Sequence, residues 1–259
     1  MNSFKILAIG DVVGPAAVKY IKEKLWGFRN YHRINMVVCN AENAAVGNGL
    51  DPASADTLIA AGCDVLTSGN HIFKKREIRQ YLDSSEMLIR PANYPSGTAG
   101  NGYTIVNIDG WRVLVINVLG TIYLESLACP FDTIDRILER EAGRYDLAFL
   151  DVHAEATSEK IALGRYFDGR INIIVGTHTH VPTADTMILP RGSGYVTDLG
   201  MSGPHDGVLG VKAEIIIEKL RTKMPVRFDI SDGEVEVDAV LFSVDTDSGK
   251  VTEAVRMKF

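Results

Sequence analysis

Two histidines one residue apart, His178 and His180, stand in the segment GTHTH at residues 176–180. An apolar run that ends at Val175 comes directly before this segment. Side chains two apart in an extended strand point to the same side, so both imidazoles would be directed at one metal centre. A structural turn explains the motif equally well when it is taken alone. Metal binding therefore requires acidic or amide ligands from elsewhere in the chain.

Polar residues with ligand chemistry also follow other predicted strands, namely Asp11, the pair Glu42 and Asn43, the pair Asn70 and His71, and His153. Carboxylates, amide oxygens and imidazoles together suit divalent iron, manganese or zinc. No cysteine accompanies them, which disfavours a structural zinc site. Two ions about 3.5–4 Å apart, bridged by a carboxylate, would use the whole set. Such a pair clamps a phosphoryl group and turns water into hydroxide near neutral pH, which is the chemistry of phosphoester hydrolysis.

Each of these residues also has a structural interpretation. Asp11 suits a turn after a strand, the glutamate–asparagine pair suits a loop cap, and the asparagine–histidine pair suits a left-handed turn. His153 suits a buried, hydrogen-bonded position. Their joint occurrence at strand ends of one predicted sheet favours a site. Asp151 and Glu155, two residues to either side of His153, are expected to support the ligands or to lie at the surface.

A repeated strand–loop–helix pattern places these residues. Nearly continuous apolar segments predict buried strands at residues 5–13, 34–40 and 63–67. Apolar residues at helical spacing predict a helix after each strand, at residues 16–28, 51–61 and 74–82. The second of these helices has Asp51 as its N-cap and Pro52 at its first position. The alternation favours a parallel sheet, in which sites form at the carboxyl ends of strands.

The second half of the chain predicts a more mixed arrangement. Residues 87–93 are strand-like, and residues 102–107 and 111–118 predict a hairpin about Asp109 and Gly110. Further segments predict helices at 132–141 and 158–166 and strands at 147–152 and 172–175. Short connections then predict a second, more antiparallel sheet from residues 186–189, 193–198, 210–220 and two strand pairs between 226 and 259. One domain over residues 1–259 is the simplest organisation.

Composition limits the classes of function. The chain has 259 residues, of which 46% are hydrophobic and 23% charged, as in globular proteins. Its net charge of -6 disfavours a general nucleic-acid binder. Three widely spaced cysteines, Cys39, Cys63 and Cys129, predict free thiols in a reducing compartment. The sequence shows neither a signal peptide nor an apolar run long enough to span a membrane, so we expect a cytoplasmic protein.

Several motifs resemble a known superfamily. GD at residues 10–11, GNH at 69–71 and GTHTH resemble, in order, the motifs of the calcineurin-like metallophosphoesterases. The chain is similar over nearly its whole length to one branch, the YmdB-like bacterial metallophosphoesterases. The motifs that carry this resemblance are IGD, NAEN, RPANYP, DVHAEATSEK, GTHTHVPTAD and TDLGMSGP.

The resemblance implies an α/β fold, a calcineurin-like metallophosphoesterase sandwich of two mixed β-sheets flanked by helices. It also implies two metal ions and hydrolysis of phosphodiesters such as cyclic nucleotides. One ion would be held by Asp11, Glu42, Asn43 and His180. The other would be held by Asn70, His153 and His178, with Glu42 bridging the two. His71 would instead protonate the leaving alkoxide as the general acid, which a histidine can do near neutral pH.

Two departures from the superfamily pattern bear on this assignment. Most members have D-x-H in the first motif, whereas Asp11 is followed by Val12 and Val13. Asn43 is expected to replace the missing imidazole. An amide oxygen is the harder ligand, so the two divalent or trivalent ions should be iron or manganese, with zinc or magnesium as alternatives. His205, after SGP, is unexpected and is predicted near the mouth of the site.

The function predicted from the sequence is a metal-dependent phosphodiesterase for 2′,3′- or 3′,5′-cyclic nucleotides. A phosphomonoesterase or 5′-nucleotidase on the same metals is one alternative. A regulatory protein that binds a nucleotide or short RNA without hydrolysing it is another, and a structural metal protein is a third. We also expect a homo-oligomer with a small phosphoester substrate and no membrane partner.

Overall fold

The computed structural model describes residues 3–259. This part of the chain forms thirteen strands: β1 (Ser3–Ile9), β2 (Asp11–Val12), β3 (Met36–Asn40), β4 (Val65–Thr67), β5 (Tyr103–Ile108), β6 (Trp111–Leu119), β7 (Leu147–His153), β8 (Ile173–Thr177), β9 (Met187–Ile188), β10 (Gly194–Val196), β11 (Met201–Pro204), β12 (Val235–Asp245) and β13 (Val251–Lys258). The α-helices are α1 (Gly14–His32), α2 (Pro52–Ala60), α3 (Ile78–Ser84), α4 (Pro130–Arg140), α5 (Thr157–Phe167) and α6 (Ala213–Thr222). A 3₁₀ turn covers Ile72–Lys74.

The strands form two mixed sheets. The first has the order β2-β11-β12-β1-β3-β4, with β13 also paired to β12. The second has the order β5-β6-β7-β8-β10-β9. In the first sheet β1, β3 and β4 are parallel while β12 runs antiparallel to β1. In the second, β6, β7 and β8 are parallel and β5 closes one edge as a hairpin. These two mixed sheets confirm the predicted sandwich.

The alternation of side chains along the central strands explains the layers. In β1, Ile6 faces the second sheet and shares a buried cluster with Val115 and Phe149, whereas Leu7 faces outward to α1 and α2. Because successive side chains point to opposite faces, a strand that is apolar throughout can serve two cores at once. Helices α4 and α5 cover the outer face of the second sheet, where Phe167 is buried. The molecule is therefore layered as helix, sheet, sheet and helix.

The predicted division between an N-terminal parallel sheet and a C-terminal antiparallel one is wrong. Strand β12 pairs with β1 over the whole register from Ser3↔Asp245 to Ile9↔Ala239. Strand β13 pairs with β12. Strands β12 and β13 thus belong to the first sheet and do not form a separate one. Pairing between strands this far apart in sequence is set by packing, which single-sequence periodicity does not contain.

Three local predictions after residue 86 are also wrong. Residues 210–220 form no strand, and α6 begins at Ala213 instead. Its three consecutive isoleucines favour a strand, but the alanine, glutamate, lysine and leucine residues around them are strong helix formers. Residues 87–93 form only a single bridge, Leu66↔Leu88. Only one strand pair, β12 with β13, forms between residues 226 and 259, and β11 was not predicted.

Other local predictions are confirmed. The carboxylate of Asp51 accepts a hydrogen bond of 2.8 Å from the backbone N–H of Ser54, which caps α2. Asp109 and Gly110 have φ values of 52° and 87°, as expected for the tight hairpin turn.

The helix predicted at 74–82 is displaced, since a 3₁₀ turn ends at Lys74 and α3 begins only at Ile78. None of the helices in residues 3–259 is long and apolar enough to cross a membrane.

Candidate metal centre

The first sheet supplies the carboxylate and amide residues of the predicted site. They are Asp11, Glu42, Asn43 and Asn70, called here the acidic half. Asp11 begins β2, and the others follow the carboxyl ends of β3 and β4 within three residues. All but Asn70 are buried, and Asp11 is completely so. Parallel neighbours end at the same edge of a sheet, so these side chains are brought together by the strands themselves.

The second sheet supplies three histidines, His153, His178 and His180, called here the imidazole half. His153 is the last residue of β7, and the other two follow β8 directly. The prediction that all the site residues stand on one sheet is therefore wrong. The site lies where the carboxyl edges of the two sheets adjoin, and both halves meet there.

The Nε2 atom of His153 is surrounded by other ligand atoms. It lies 3.0 Å from His178 Nδ1, 3.2 Å from Asn70 Oδ1 and 3.3 Å from Glu42 Oε1. Glu42, His153 and His178 form a group whose ligand atoms all lie within 4.8 Å of one another. Ligand atoms at this spacing could also surround a metal ion once His153 has lost its proton. The donor set of one carboxylate, one amide and two imidazoles suits a first-row transition metal.

A second position is indicated by Asp11. Its Oδ1 atom is buried and accepts no hydrogen bond within residues 3–259. The Nε2 atom of His180 lies 4.0 Å away. A buried carboxylate oxygen without a donor is costly, and a metal ion is one of the few partners that would satisfy it. This orphaned oxygen fits a cation shared by Asp11 and His180.

The Asn43 amide of the acidic half reaches the imidazole half in a specific orientation. Its Nδ2 atom donates to Glu42 Oε1 at 2.9 Å and lies 3.4 Å from His180 Nε2. Its Oδ1 atom lies 2.9 Å from His71 Nδ1. A half-turn of the amide would exchange these roles and present the oxygen to His180, as the predicted ligand role requires. The same half-turn would place an N–H donor on Nδ1 of His71 and leave the proton of a neutral ring on Nε2.

The pKa values of the two buried carboxylates, Asp11 and Glu42, are shifted in opposite directions. Burial raises the pKa of Asp11 to about 6, with His180 and His153 opposing the rise. Burial also acts to raise the pKa of Glu42, but the charges and hydrogen bonds of His153 and His71 outweigh it and hold that pKa well below its usual range. Glu42 is thus anionic near neutral pH and central to the cluster, as a bridging ligand must be.

The pKa values of His153 and His178 are likewise shifted in opposite directions. Burial acts to lower the pKa of His153, but the carboxylates of Glu42, Asp11 and Asp151 outweigh it and raise that pKa to about 9. Burial, together with the nearby charge of His153, lowers the pKa of His178 to about 3. His178 is therefore neutral at physiological pH, which is the form that binds metals. His153 must lose its proton to do so.

Each histidine has a protein partner for the nitrogen that faces away from the cluster. His153 Nδ1 lies 2.9 Å from Thr177 Oγ1. His178 Nε2 lies 2.9 Å from Glu155 Oε2. His180 Nδ1 lies 3.4 Å from the carbonyl oxygen of Leu209. Such contacts fix the tautomer and ring orientation of metal-binding histidines. Glu155 thus contacts a site residue.

A hydrogen-bond network supports His153 from behind. Asp151 is buried and accepts hydrogen bonds from Thr177 Oγ1 at 2.7 Å and from Asn40 Nδ2 at 3.0 Å. Thr177 in turn contacts the ring of His153. Asp151 therefore acts on the cluster through a hydroxyl group. One feature of the sequence indicated that Asp151 supports His153. The two residues are two apart in β7, so their side chains lie on the same side of the strand.

The backbone around GTHTH differs from the extended strand that the sequence predicted. His178 and His180 have positive φ values of 100° and 62° and lie beyond the end of β8. Strand alternation is therefore the wrong reason for their proximity, although both rings do face the cluster. Residues other than glycine rarely adopt positive φ, and each instance costs about 1–3 kcal/mol. The surrounding structure must hold this loop in place.

A buried ion pair holds the loop. Lys160 Nζ lies 2.6 Å from Asp198 Oδ2, and both side chains are 1% exposed. The same carboxylate accepts hydrogen bonds from the backbone N–H and the hydroxyl of Thr179, at 3.1 and 2.8 Å. Thr179 is the residue between the two histidines. The pair Lys160–Asp198, called here the loop clamp, was not predicted, although both residues stand within the quoted motifs.

Two glycines make room for this arrangement. A Cβ atom on Gly69 would lie 2.2 Å from His153 Nε2 and 2.3 Å from Glu42 Oε2, inside the cluster itself. A Cβ atom on Gly176 would lie 1.8 Å from the carbonyl oxygen of Thr197 and 2.8 Å from the Lys160 side chain. Only glycine fits at either position, which explains the first residue of the GNH and GTHTH motifs.

His71 stands at the rim of the cluster. Its side chain is 26% exposed, and its Nδ1 atom lies 3.4 Å from Glu42 Oε1. Its backbone N–H donates to Glu42 Oε2 at 3.1 Å. The structure thus places His71 beside the other predicted residues but further into solvent. His205 is not brought to the cluster, because its ring contacts Asp238 at 3.2 Å and the Gly203 carbonyl oxygen at 2.9 Å.

Two mixed sheets with such a cluster at their adjoining strand ends fit an enzyme of the metal-dependent phosphoesterase class. The sequence matches the YmdB-like protein family over residues 7–257, and the chain belongs to this family. Both statements agree with the sequence-based resemblance.

Known relatives and solved structures agree with this assignment. The chain is 43% identical over 253 residues to the 2′,3′-cyclic-nucleotide 2′-phosphodiesterase of Bacillus subtilis (strain 168), covering 98% of this chain and 96% of the relative. A crystal structure of a phosphatase from Mycoplasma pneumoniae is 33% identical with a TM-score of 0.93, over 100% of this chain and 94% of that one. A 5′-nucleotidase precursor from Thermus thermophilus shares the fold, with a TM-score of 0.62 and 12% identity, over 100% of this chain and 54% of that one.

Proposed function

We propose that this protein is a di-metal phosphodiesterase that hydrolyses 2′,3′- or 3′,5′-cyclic nucleotides. The observation that carries the proposal is the convergence of three other ligand atoms on His153 Nε2, beside the orphaned Oδ1 atom of Asp11. The similarity to the Bacillus subtilis 2′,3′-cyclic-nucleotide 2′-phosphodiesterase supports the choice of substrate.

The proposed ligands divide between two positions. Glu42, Asn70, His153 and His178 would hold one ion, and Asp11, Glu42, Asn43 and His180 would hold the other. When bound, the two ions acidify water and neutralise charge that develops on the phosphoryl oxygens. The carboxylate and amide oxygens favour iron or manganese over softer metals. The large share of imidazole nitrogens leaves zinc as an alternative ion.

His71 is the proposed general acid. It is outside the proposed ligand set, partly exposed, and tied through Nδ1 to Asn43. Its Nε2 atom is therefore the nitrogen available to a substrate. Opening a cyclic phosphate releases a ribose alkoxide, and Nε2–H of His71 would protonate that oxygen as the bond to phosphorus breaks. Acid catalysis of this kind contributes about 10²–10⁴-fold in rate.

The test is hydrolysis by the full chain loaded with iron or manganese. We expect turnover of bis(p-nitrophenyl) phosphate and of cyclic nucleotides that disappears on chelation. The His71→Gln variant should keep both metals but lose about 10²–10⁴-fold in turnover of cyclic nucleotides. It should lose less on the p-nitrophenyl diester, since p-nitrophenolate leaves without a proton. Turnover that persists without metal would falsify the proposal.

A phosphomonoesterase on the same centre is the second candidate, favoured by the similarity to the Mycoplasma pneumoniae phosphatase. Comparing p-nitrophenyl phosphate with its diester separates the two activities. A faster monoester reaction would support this candidate instead. Tight binding of a nucleotide without turnover would support a regulatory protein.

We also propose that residues 1–259 form one domain that works in the cytoplasm as a homo-oligomer. Both sheets share one buried core, which supports the single domain. Cys39, Cys63 and Cys129 are free thiols, which supports a reducing compartment. Light scattering on the purified chain would measure the oligomeric state.

A further inference from the structure

A large cavity has walls that contain none of the site residues described above. It has a volume of about 1160 Å³ and is lined by residues 85–105 and 126–128 and by α4 with the turn that follows it. None of the proposed metal ligands lines it, and neither does His71. The volume is slightly above the range of about 300–1,000 Å³ that is usual for small-molecule pockets, so a small molecule would fit. The proposed function gives this cavity no role.

Four arginines line the cavity, against two glutamates, although the whole chain carries a net charge of -6. Arg136 and Arg140 are four residues apart on α4, and Arg144 follows four residues later. Residues at this spacing stand on the same side of a helix. Arg140 and Arg144 share a single carboxylate, that of Glu141, at 3.6 and 2.7 Å. Positive charge is thus concentrated and incompletely neutralised here.

Arg136 meets only neutral acceptors. Its guanidinium donates to the carbonyl oxygen of Asp132 at 3.1 Å and to the hydroxyl of Thr133 at 3.3 Å. No carboxylate within residues 3–259 forms an ion pair with it. An arginine without an ionic partner at a cavity wall remains available to an anion.

The fourth arginine of the cavity, Arg90, is buried and gives an independent indication of an anion site. The residue is 6% exposed, and its guanidinium donates only to the carbonyl oxygens of Pro91 and Thr98, at 2.8 and 3.4 Å. Its buried Nε atom has no acceptor within residues 3–259. Burial lowers the pKa of Arg90, with a small opposing contribution from Tyr94. A buried guanidinium without a counter-charge is unfavourable, and a bound anion would supply the missing partner.

We propose that this cavity binds the phosphate group of a phosphorylated small molecule. Arg136 and Arg140 would hold the phosphate from α4, and Arg90, which also lines the cavity, would contribute its charge. The contact of Arg90 with Thr98, at 3.4 Å, is the weaker of its two and is the one that a phosphate oxygen would replace. Guanidinium groups suit this ligand because their N–H donors match phosphate oxygens in pairs. The rings of Tyr94 and Tyr103, which also line the cavity, offer a surface for the remainder of the ligand.

Equilibrium dialysis with inorganic phosphate tests the site in the full metal-loaded chain. We expect two phosphate ions per chain, one at the metal centre and one in the cavity. The Arg136→Ala/Arg140→Ala variant should lose the second ion, or bind it about tenfold more weakly or worse, while its diester turnover stays at the wild-type level. The Asp11→Asn variant should lose the first ion and retain the second. These two variants separate failure of this site from failure of the proposed function.

The matched control is Arg165→Ala, an exposed arginine on α5 outside the cavity, which should leave both ions bound. Arg90→Met tests the buried charge directly. If Arg90→Met does not fold, phosphate binding by the Arg136→Ala/Arg140→Ala variant is the test of the proposal. The proposal would be overturned if the wild type bound no phosphate beyond an ion that Asp11→Asn removes, or if binding were unchanged in the double variant. Repeating the dialysis with adenosine 3′-monophosphate shows whether a nucleoside strengthens binding.

Discussion

The acidic half and the imidazole half of the proposed metal centre are built in different ways. The acidic half follows strands of the first sheet with ordinary negative φ values, and little else is needed to direct it inward. Two members of the imidazole half have positive φ, and the loop clamp holds them. Ligands supplied by strand ends are therefore placed by the sheet. Ligands on a strained loop need a supporting network of their own.

The halves also depend on each other. The backbone N–H of His178 donates to Asp11 Oδ2 at 3.0 Å, so a carboxylate of the acidic half helps to fix the strained loop. Glu42 contacts His153, His71 and Asn43 together. Changes in the acidic half should therefore disturb the whole site. Changes in residues that support the imidazole half, such as Lys160 and Glu155, should weaken only that half of the site.

Glu42→Gln should have the largest effect, since it removes the one charge shared by both halves. We expect loss of both metals and a fall in diester turnover of about 10³-fold or more. Metal content per chain and turnover are measured together. Glu23→Gln, an exposed site on α1, is the control. A Glu42→Gln enzyme with two tightly bound metals would show that the halves do not depend on this residue.

Lys160→Met should come next, because it removes the cation of the loop clamp while keeping much of the side-chain volume. The buried Asp198 carboxylate is left without its counter-charge, and the free energy of unfolding should fall by about 3–5 kcal/mol. Metal affinity should fall by about 10–100-fold in protein that remains folded. Denaturant melts and metal titration measure the two effects.

The exposed Lys22→Met variant is the control for that change. If the folded Lys160→Met protein bound both metals as tightly as wild type, the clamp would support stability alone. The contrast between the two halves would then be one of folding rather than of ligand placement.

The pH dependence of the metal-free protein sharpens the comparison, since the acidic half holds a proton on His153. Histidine in the unfolded chain titrates near 6.5, whereas the pKa of folded His153 is raised to about 9. Folding stability from this group is complete below pH 6.5 and is lost as pH rises to 9, by about 3 kcal/mol. His178, with a folded pKa of about 3, stays neutral in the folded protein over this range. Its titration in the unfolded chain opposes the loss only slightly and only near pH 6.5.

Chemical denaturation after chelation, at pH 6.5 and at pH 9, measures this loss. The His153→Gln variant should show a flatter profile over the same range. An equally steep profile in the variant would assign the proton to another group.

Glu155→Gln should have the smallest effect. Its carboxylate is half exposed and contacts only the outer nitrogen of His178. We expect metal affinity to fall by about tenfold, with little change in stability, because an amide oxygen still accepts the Nε2–H hydrogen bond. Metal titration is the measurement, with Glu139→Gln on the exposed side of α4 as the control. A loss as large as that of Lys160→Met would contradict the order proposed here.

Much of the acidic half followed from local sequence. Asp11, Glu42 and Asn70 each come after an apolar run, and a residue in that position must lie at the edge of a parallel sheet. The hairpin at Asp109 and the cap at Asp51 were equally local, because turn and cap residues act on backbone groups a few positions away.

Tertiary structure alone decided the remainder. The sequence did not reveal that β12 would pair with β1, that the imidazoles would come from a second sheet, or that Lys160 would meet Asp198 thirty-eight residues away. The same holds for the orientation of the Asn43 amide and for the arginine-lined cavity. Periodicity reports which face of an element is apolar, but it contains no information on which distant element covers that face. The sequence thus indicated the candidate ligands, and the packing of two sheets determined how these residues meet.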